Sequence, residues 1–311
     1  MTTTLQRPSN QINAREWRSK YRELFNWNTY QQRIFDWVQY GSGNAMVGAV
    51  AGSGKTASIT GIVAALPASC KIQILAFNRH IAQKLKDDSR IPKGRVTVST
   101  AHSFGKSLLT TYFGGTLFDP DERKYFHLSK DAVQQMIQYR VSFDIFARQV
   151  PEKAALEYPV PPPPLTAGTH QAEVLSREMR KFIQTVARFA QLTLTPLRPE
   201  DLAGMIEHFG IEVPGAVGAL EWGISAAIKV LERGEQQAIR QHSLDFGDML
   251  WLPNKWNLEP APKQFCIVDE AQDANAAMIG LYQGVFCITP RKGIFHNETT
   301  ESYSSGSCNN C

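Results

Sequence analysis

Residues 49–56 read AVAGSGKT, a Gly-rich turn that ends in a lysine and a hydroxyl. Those are the groups needed to hold a chain of phosphates. Gly52 and Gly54 permit a tight bend, so that consecutive backbone N–H groups along Ala51, Gly52, Ser53, Gly54, Lys55, Thr56 and Ala57 can point at one anion. Lys55 has the length to reach the outer phosphates, and the Thr56 hydroxyl suits a divalent cation. Ala49 stands where such a loop usually begins with glycine. A second cluster, VDEAQD at 268–273, supplies carboxylates. Asp269 is the candidate ligand for the cation. Glu270 is the candidate general base for an attacking water, and Gln272 joins Lys55 and Glu270 as a candidate catalytic group.

These side chains need elements to position them. The apolar run 45–50 suits a buried strand, and 57–66 has helical spacing, so strand, turn and helix follow one another as a phosphate loop requires. The helix N-terminus adds partial positive charge at the turn. Residues 71–77 (KIQILAF) and 95–99 (RVTVS) read as strands, with a helix starting at 81–86 between them and another over 30–40 before the loop. The first 115 residues therefore alternate strand and helix, the pattern of an α/β fold with a parallel sheet. From 116 to 240 the pattern is helical, over 130–147, 171–192, 199–209 and 218–241, and PVPPPP at 159–164 forms a stiff extended loop. Strand character returns at 263–268 and ends in the acidic cluster, whose place at a strand's C-terminal end is where parallel sheets bind ligands. The expected layout is an irregular segment at 1–24, a split α/β domain at 25–115 plus 241–289, a helical insertion at 116–240 and a polar, disordered tail at 290–311.

The chain has 311 residues, 43% hydrophobic and 20% charged, which is the composition of a globular protein with a sizeable core. No apolar run reaches the length of a membrane span, and MTTTLQRPSNQINAREW at the start lacks a signal-peptide core, so the protein is expected in the cytoplasm, or in a nucleus or organelle. A net charge of +4 is compatible with a polyanionic partner and too small to argue for one. Cys70 and Cys266 sit beside apolar runs and read as small buried residues; Cys308 and Cys311 have CxxC spacing without a second pair of ligands nearby.

AVAGSGKT together with VDEAQD resembles the UvrD/Rep-type branch of superfamily 1 DNA helicases, and further segments fall in that family's order between residues 28 and 273. Asn28-Thr29-Tyr30-Gln31 resembles the segment whose glutamine reads adenine, a role that an amide's paired donor and acceptor can fill. FNRHIA at 77–82 and STAHSFG at 99–105 resemble the segments that contact single-stranded DNA, which implies DNA contacts at Phe77, Asn78, Arg79, His102, Ser103 and Phe104. DFGDML at 245–250 resembles the segment before the acidic cluster, with Gly247 where the family more often has an acid. The resemblance implies a RecA-like ATP-binding domain with a helical insertion, ATP and Mg²⁺ as cofactors, and single-stranded or partly unwound duplex DNA as partner.

The likeness ends just after Asp273. The family continues with a strand, then with a second RecA-like domain whose arginines reach the γ-phosphate; nothing in 274–311 matches, and the sequence leaves open whether a partner chain supplies that domain. The expectation is a truncated motor half, its change of character near 287–290 being that of a truncated or frame-disrupted product or an incomplete gene model. Residues 274–283 read as a helix, and 285–289 are the candidate for the strand between the phosphate-loop strand and the acidic strand. Two other readings stand beside the helicase: a non-catalytic nucleotide- or DNA-binding module with negligible turnover, and an unrelated phosphate-loop enzyme such as a small-molecule kinase.

Overall fold

Short apolar segments separated by helix-forming stretches produce a parallel sheet, seen in a computed structural model that describes residues 27–50, 52–145, 170–261, 263–286 and 292–297. Its strands are β1 (Asn44–Gly48), β2 (Ile72–Ala76), β3 (Val96–Thr100), β6 (Phe265–Val268) and β7 (Lys292–Asn297); the two-residue β4 (Asp119–Pro120) and β5 (Ser243–Leu244) pair separately. The spatial order is β1-β7-β6-β2-β3, with every pair parallel. Every residue of β2 and β6 is buried, which is why these strands are apolar runs rather than alternating ones: both faces are covered. β1, at one edge, alternates between exposed and half-buried.

Helices cover the sheet. They are α1 (Thr29–Tyr40), α2 (Lys55–Ala65), α3 (Arg79–Asp87) and the start of α4 (Ala101–Tyr112). Phe35 and Val38 of α1 and Ile59, Ile62 and Val63 of α2 join Ile72, Ile74, Val96, Val98, Phe265 and Ile267 of the sheet in one core. Cys70 and Cys266 are buried free thiols, and burial pushes the Cys70 thiol above its usual range.

The strand beside the acidic strand is not the one expected. Residues 285–286 close the helix α10 (Ala276–Phe286) instead, and Lys292–Asn297 fill the slot between β1 and β6. The helical period of 276–286 carries past 283, with Ala277, Leu281 and Tyr282 buried, whereas KGIFHN has no strand pattern of its own. It becomes a strand because backbone partners wait on both sides. The expected disordered tail is corrected over 292–297; the rest of it, with Cys308 and Cys311, lies outside the described residues, as do 1–24 and the proline run at 159–164.

The chain forms two compact units, Met1–Phe104 with Glu259–Ala274 and Tyr282–Cys311, and Gly105–Leu258 with Asn275–Leu281. The second is helical: α5 (Lys124–Ile145), α6 (His170–Thr193), α7 (Pro199–His208), α8 (Ala219–Gln241) and α9 (Phe246–Lys255). Composition sets the insertion's boundaries at 116 and 240, but Leu109 of α4 and Met249, Trp251 and Leu252 of α9 bury themselves in the helical core, so compactness assigns those segments to it. Inside this core Lys124 and Asp248, both fully buried, pair at 2.7 Å. The Tyr125 hydroxyl and the Gln191 carboxamide donate to the same carboxylate at 2.6 and 3.1 Å. At Gly247, where the family more often has an acid, a Cβ would stand 2.8 Å from the Gln191 carboxamide carbon, so the Gln191 side chain would have to shift to admit one. No helix among the described residues is long and apolar enough to cross a membrane.

Candidate functional site

Because all strands are parallel, the residues that follow β1, β2, β3 and β6 emerge along one edge of the sheet. Behind β1 the chain turns through Gly52 at φ +77° and Gly54 at φ +85°, values that side-chain-bearing residues avoid. The Ser53 amide donates to the Val50 carbonyl at 3.2 Å and closes the turn. Gly54 is the N-cap of α2, so the helix opens with Lys55, Thr56 and Ala57, all half-buried, and its first turn follows the loop directly. Ala51 lies outside the described residues.

Asp269 and Glu270 stand where β6 ends. The Asp269 amide extends the ladder to the Leu75 carbonyl at 2.9 Å. Glu270 then takes a left-handed conformation, φ 52° and ψ 50°, which turns the chain into the single 3₁₀ turn Ala271–Asp273. A left-handed non-glycine residue stores of order 1–3 kcal/mol of strain. Here it brings the Glu270 carboxylate to the Lys55 ammonium, at 2.6 Å through Oε1 and 2.8 Å through Oε2. The Gln272 side-chain N–H donates to Glu270 Oε2 at 2.8 Å. Lys55, Glu270 and Gln272 thus lie within hydrogen-bonding reach of one another. Asp269 is 7% exposed, and its Oδ1 has no hydrogen-bond partner among the described residues; the Gln272 Oε1 is in the same position. Burial, then the neighbouring Glu270 charge, raise the Asp269 carboxyl above its ordinary range, while Lys55 pulls it down. A buried carboxylate oxygen without a donor, one residue from a lysine-bound glutamate, fits a divalent cation.

Gln31 is held above the turn. Asn28 and Gln31 form a reciprocal capping box on α1, with Gln31 N–H to Asn28 Oδ1 at 2.9 Å and Asn28 N–H to Gln31 Oε1 at 3.2 Å. The Gln31 Nε2 donates to Ser58 Oγ at 3.2 Å. Sequence reasoning missed Ser58, whose only signal was its place one helical turn after Gly54. The asparagine-to-glutamine spacing that forms the capping box was there to be read.

The residues expected at DNA divide. Phe77 is 47% exposed beyond β2, and Arg79 beside it is exposed. The Asn78 side chain is taken up as the N-cap of α3, accepting from Ile81 N–H at 2.9 Å. After β3, Ser103 is exposed and hydrogen-bonded to Thr100 at 3.1 Å. His102 is half-buried, and burial lowers its pKa, favouring neutral imidazole. Phe104 is 7% exposed and packs in the interior, so its ring is not a surface platform.

A lysine at a helix N-terminus, two adjacent carboxylates and a parallel-sheet edge are the constituents of a nucleoside-triphosphate site. Residues 27–287 match the model of the UvrD/REP helicase N-terminal domain, and the chain belongs to that family of ATP-dependent helicases. Among curated proteins, no sequence matched the chain.

Proposed function

We propose that this chain is the RecA-like ATP-binding part of a DNA helicase. It binds ATP with Mg²⁺, grips single-stranded DNA or the single strand of partly unwound duplex, and couples hydrolysis to unwinding. The observation that carries this is the Lys55–Glu270 pair at 2.6 Å beside the orphaned Asp269 oxygen. The backbone N–H groups at the start of α2 bind phosphate oxygens, and Lys55 exchanges the Glu270 carboxylate for them. Thr56 and Asp269 would hold Mg²⁺, which would neutralise charge developing on the phosphates. Glu270, released from Lys55 and steadied by Gln272, accepts a proton from water at its carboxylate. Gln31 faces the base. Phe77 stacks on a DNA base while Arg79 meets the backbone, with His102 and Ser103 from the adjacent strand end contributing polar contacts. The helical unit corresponds to the family's insertion. With DNA as its partner, the protein works in the cytoplasm on the nucleoid, or in a nucleus.

A second reading, a module that binds ATP and DNA with negligible turnover, draws on the same ion pair, because each catalytic group holds the other. Steady-state ATP hydrolysis with and without single-stranded DNA, with Lys55→Ala as the blank, separates the two. DNA-stimulated turnover above the blank supports the motor. Lys55-dependent ATP binding without turnover supports the module, and Lys55-independent binding rejects both.

A further inference from the structure

We infer that Ser58 is a positioning residue that fixes the Gln31 carboxamide and thereby sets the preference of the site for a 6-aminopurine nucleotide. The inference rests on the nucleotide reading above and deepens it. Ser58 lies on α2, one turn beyond Gly54, and is 4% exposed. Its hydroxyl donates to the Gly54 carbonyl at 3.2 Å. With its one proton committed there, the oxygen presents only lone pairs to Gln31, so the group of Gln31 that meets it at 3.2 Å must be the N–H₂. The Asn28 amide imposes the same orientation from the other side, because its N–H needs an acceptor and finds Gln31 Oε1 at 3.2 Å. A flipped carboxamide would leave N–H facing N–H at Asn28 and oxygen facing the Ser58 lone pairs. The two contacts therefore disfavour the flip that an exposed glutamine side chain is free to make.

One N–H and one oxygen lone pair of the carboxamide remain, with no partner among the described residues. A 6-aminopurine offers a donor beside a ring acceptor and matches that pair. On its O6/N7 edge a 6-oxopurine offers two acceptors, so one would face the glutamine oxygen. Discrimination of this kind arises from leaving a polar group unpaired in the wrong complex. Gly54 couples the base-reading group to the phosphate turn: a Cβ there would stand 3.3 Å from Gln31 Nε2, so the backbone that carries the phosphates passes directly against the carboxamide.

The test is a double-mutant cycle on the full chain, with Ser58→Ala, Gln31→Ala and the double variant, measuring Kd for ATP, GTP and inorganic tripolyphosphate by calorimetry. Ser58→Ala is expected to weaken ATP by roughly fivefold, the size of one lost neutral hydrogen bond. Tripolyphosphate, which has no base, should bind within about twofold of the parent, so the ATP-to-GTP ratio falls. In the Gln31→Ala background Ser58→Ala should change nothing further. Equal weakening of ATP and tripolyphosphate, an unchanged ratio, or additive effects of the two substitutions would each overturn the role of Ser58 while leaving the nucleotide site standing. A parent chain that binds neither triphosphate overturns the site and this inference together.

Discussion

At the scale of single residues, two carboxylates illustrate how environment sets function. Glu270 is held by Lys55 and Gln272 in a strained left-handed turn. Glu270→Gln keeps the hydrogen-bonding shape and removes the base, so ATP affinity should persist while hydrolysis falls by about 10²-fold, as read in a turnover assay beside equilibrium binding. Asp245 caps α9, accepting from Asp248 N–H at 2.7 Å, and burial together with the Asp248 charge pushes its carboxyl up from 3.8 to about 7. A folded-state pKa raised above the unfolded value means that the protonated form is the stabilised one. That contribution is fully present below the unfolded pKa and is lost as pH rises through the folded value. Asp245→Asn keeps the capping oxygen without the charge. Its melting temperature relative to the parent should therefore be higher at about pH 8 than at about pH 5, measured by thermal unfolding at both.

At the scale of elements, close backbone approaches decide which residues are allowed. Gly105 of α4 lies against the backbone of α9, and a Cβ there would collide with the Met249 carbonyl oxygen. Gly105→Ala should therefore cost about 1–3 kcal/mol, read as a lower urea midpoint. The strand β7 has partners on both sides, Ala45 in β1 and Ile267 in β6 standing opposite Ile294. Ile294→Pro removes an N–H from a central ladder and should cost about 3 kcal/mol, visible as lost soluble yield and a lowered denaturation midpoint. An unchanged midpoint would mean that the slot between β1 and β6 does not depend on this segment. The position of β7 was not legible in the sequence, because residues 292–297 carry no alternation of their own and are strand only by virtue of their neighbours.

At the scale of the whole molecule, the net charge of +4 is too small to bind nucleic acid by bulk attraction, so DNA affinity must come from placed groups. On the proposed reading, exposed Arg79 at the strand edge is the first candidate among them. Arg79→Ala should weaken single-stranded DNA binding and reduce the slope of log Kd against log salt by about 0.7, the contribution of one phosphate on a single strand, measured by fluorescence titration across a salt series. A slope that does not move would remove Arg79 from the DNA path. Phe104 shows the opposite lesson. It falls in a segment that resembles a DNA-contacting one, and its ring is nonetheless spent on the core.

The sequence by itself determined what is local. Glycines with positive φ, a lysine and threonine opening a helix, and acidic residues at a strand end are written within a few consecutive positions, because turn and helix-cap chemistry is settled by neighbours in the chain. Only the tertiary structure decided how those pieces meet. Lys55 finds Glu270 across 215 positions, Gln31 finds Ser58 across 27, and Lys124 finds Asp248 across 124. Such pairings depend on strand order and on which backbone groups are left seeking partners, and no stretch of the chain carries that information alone.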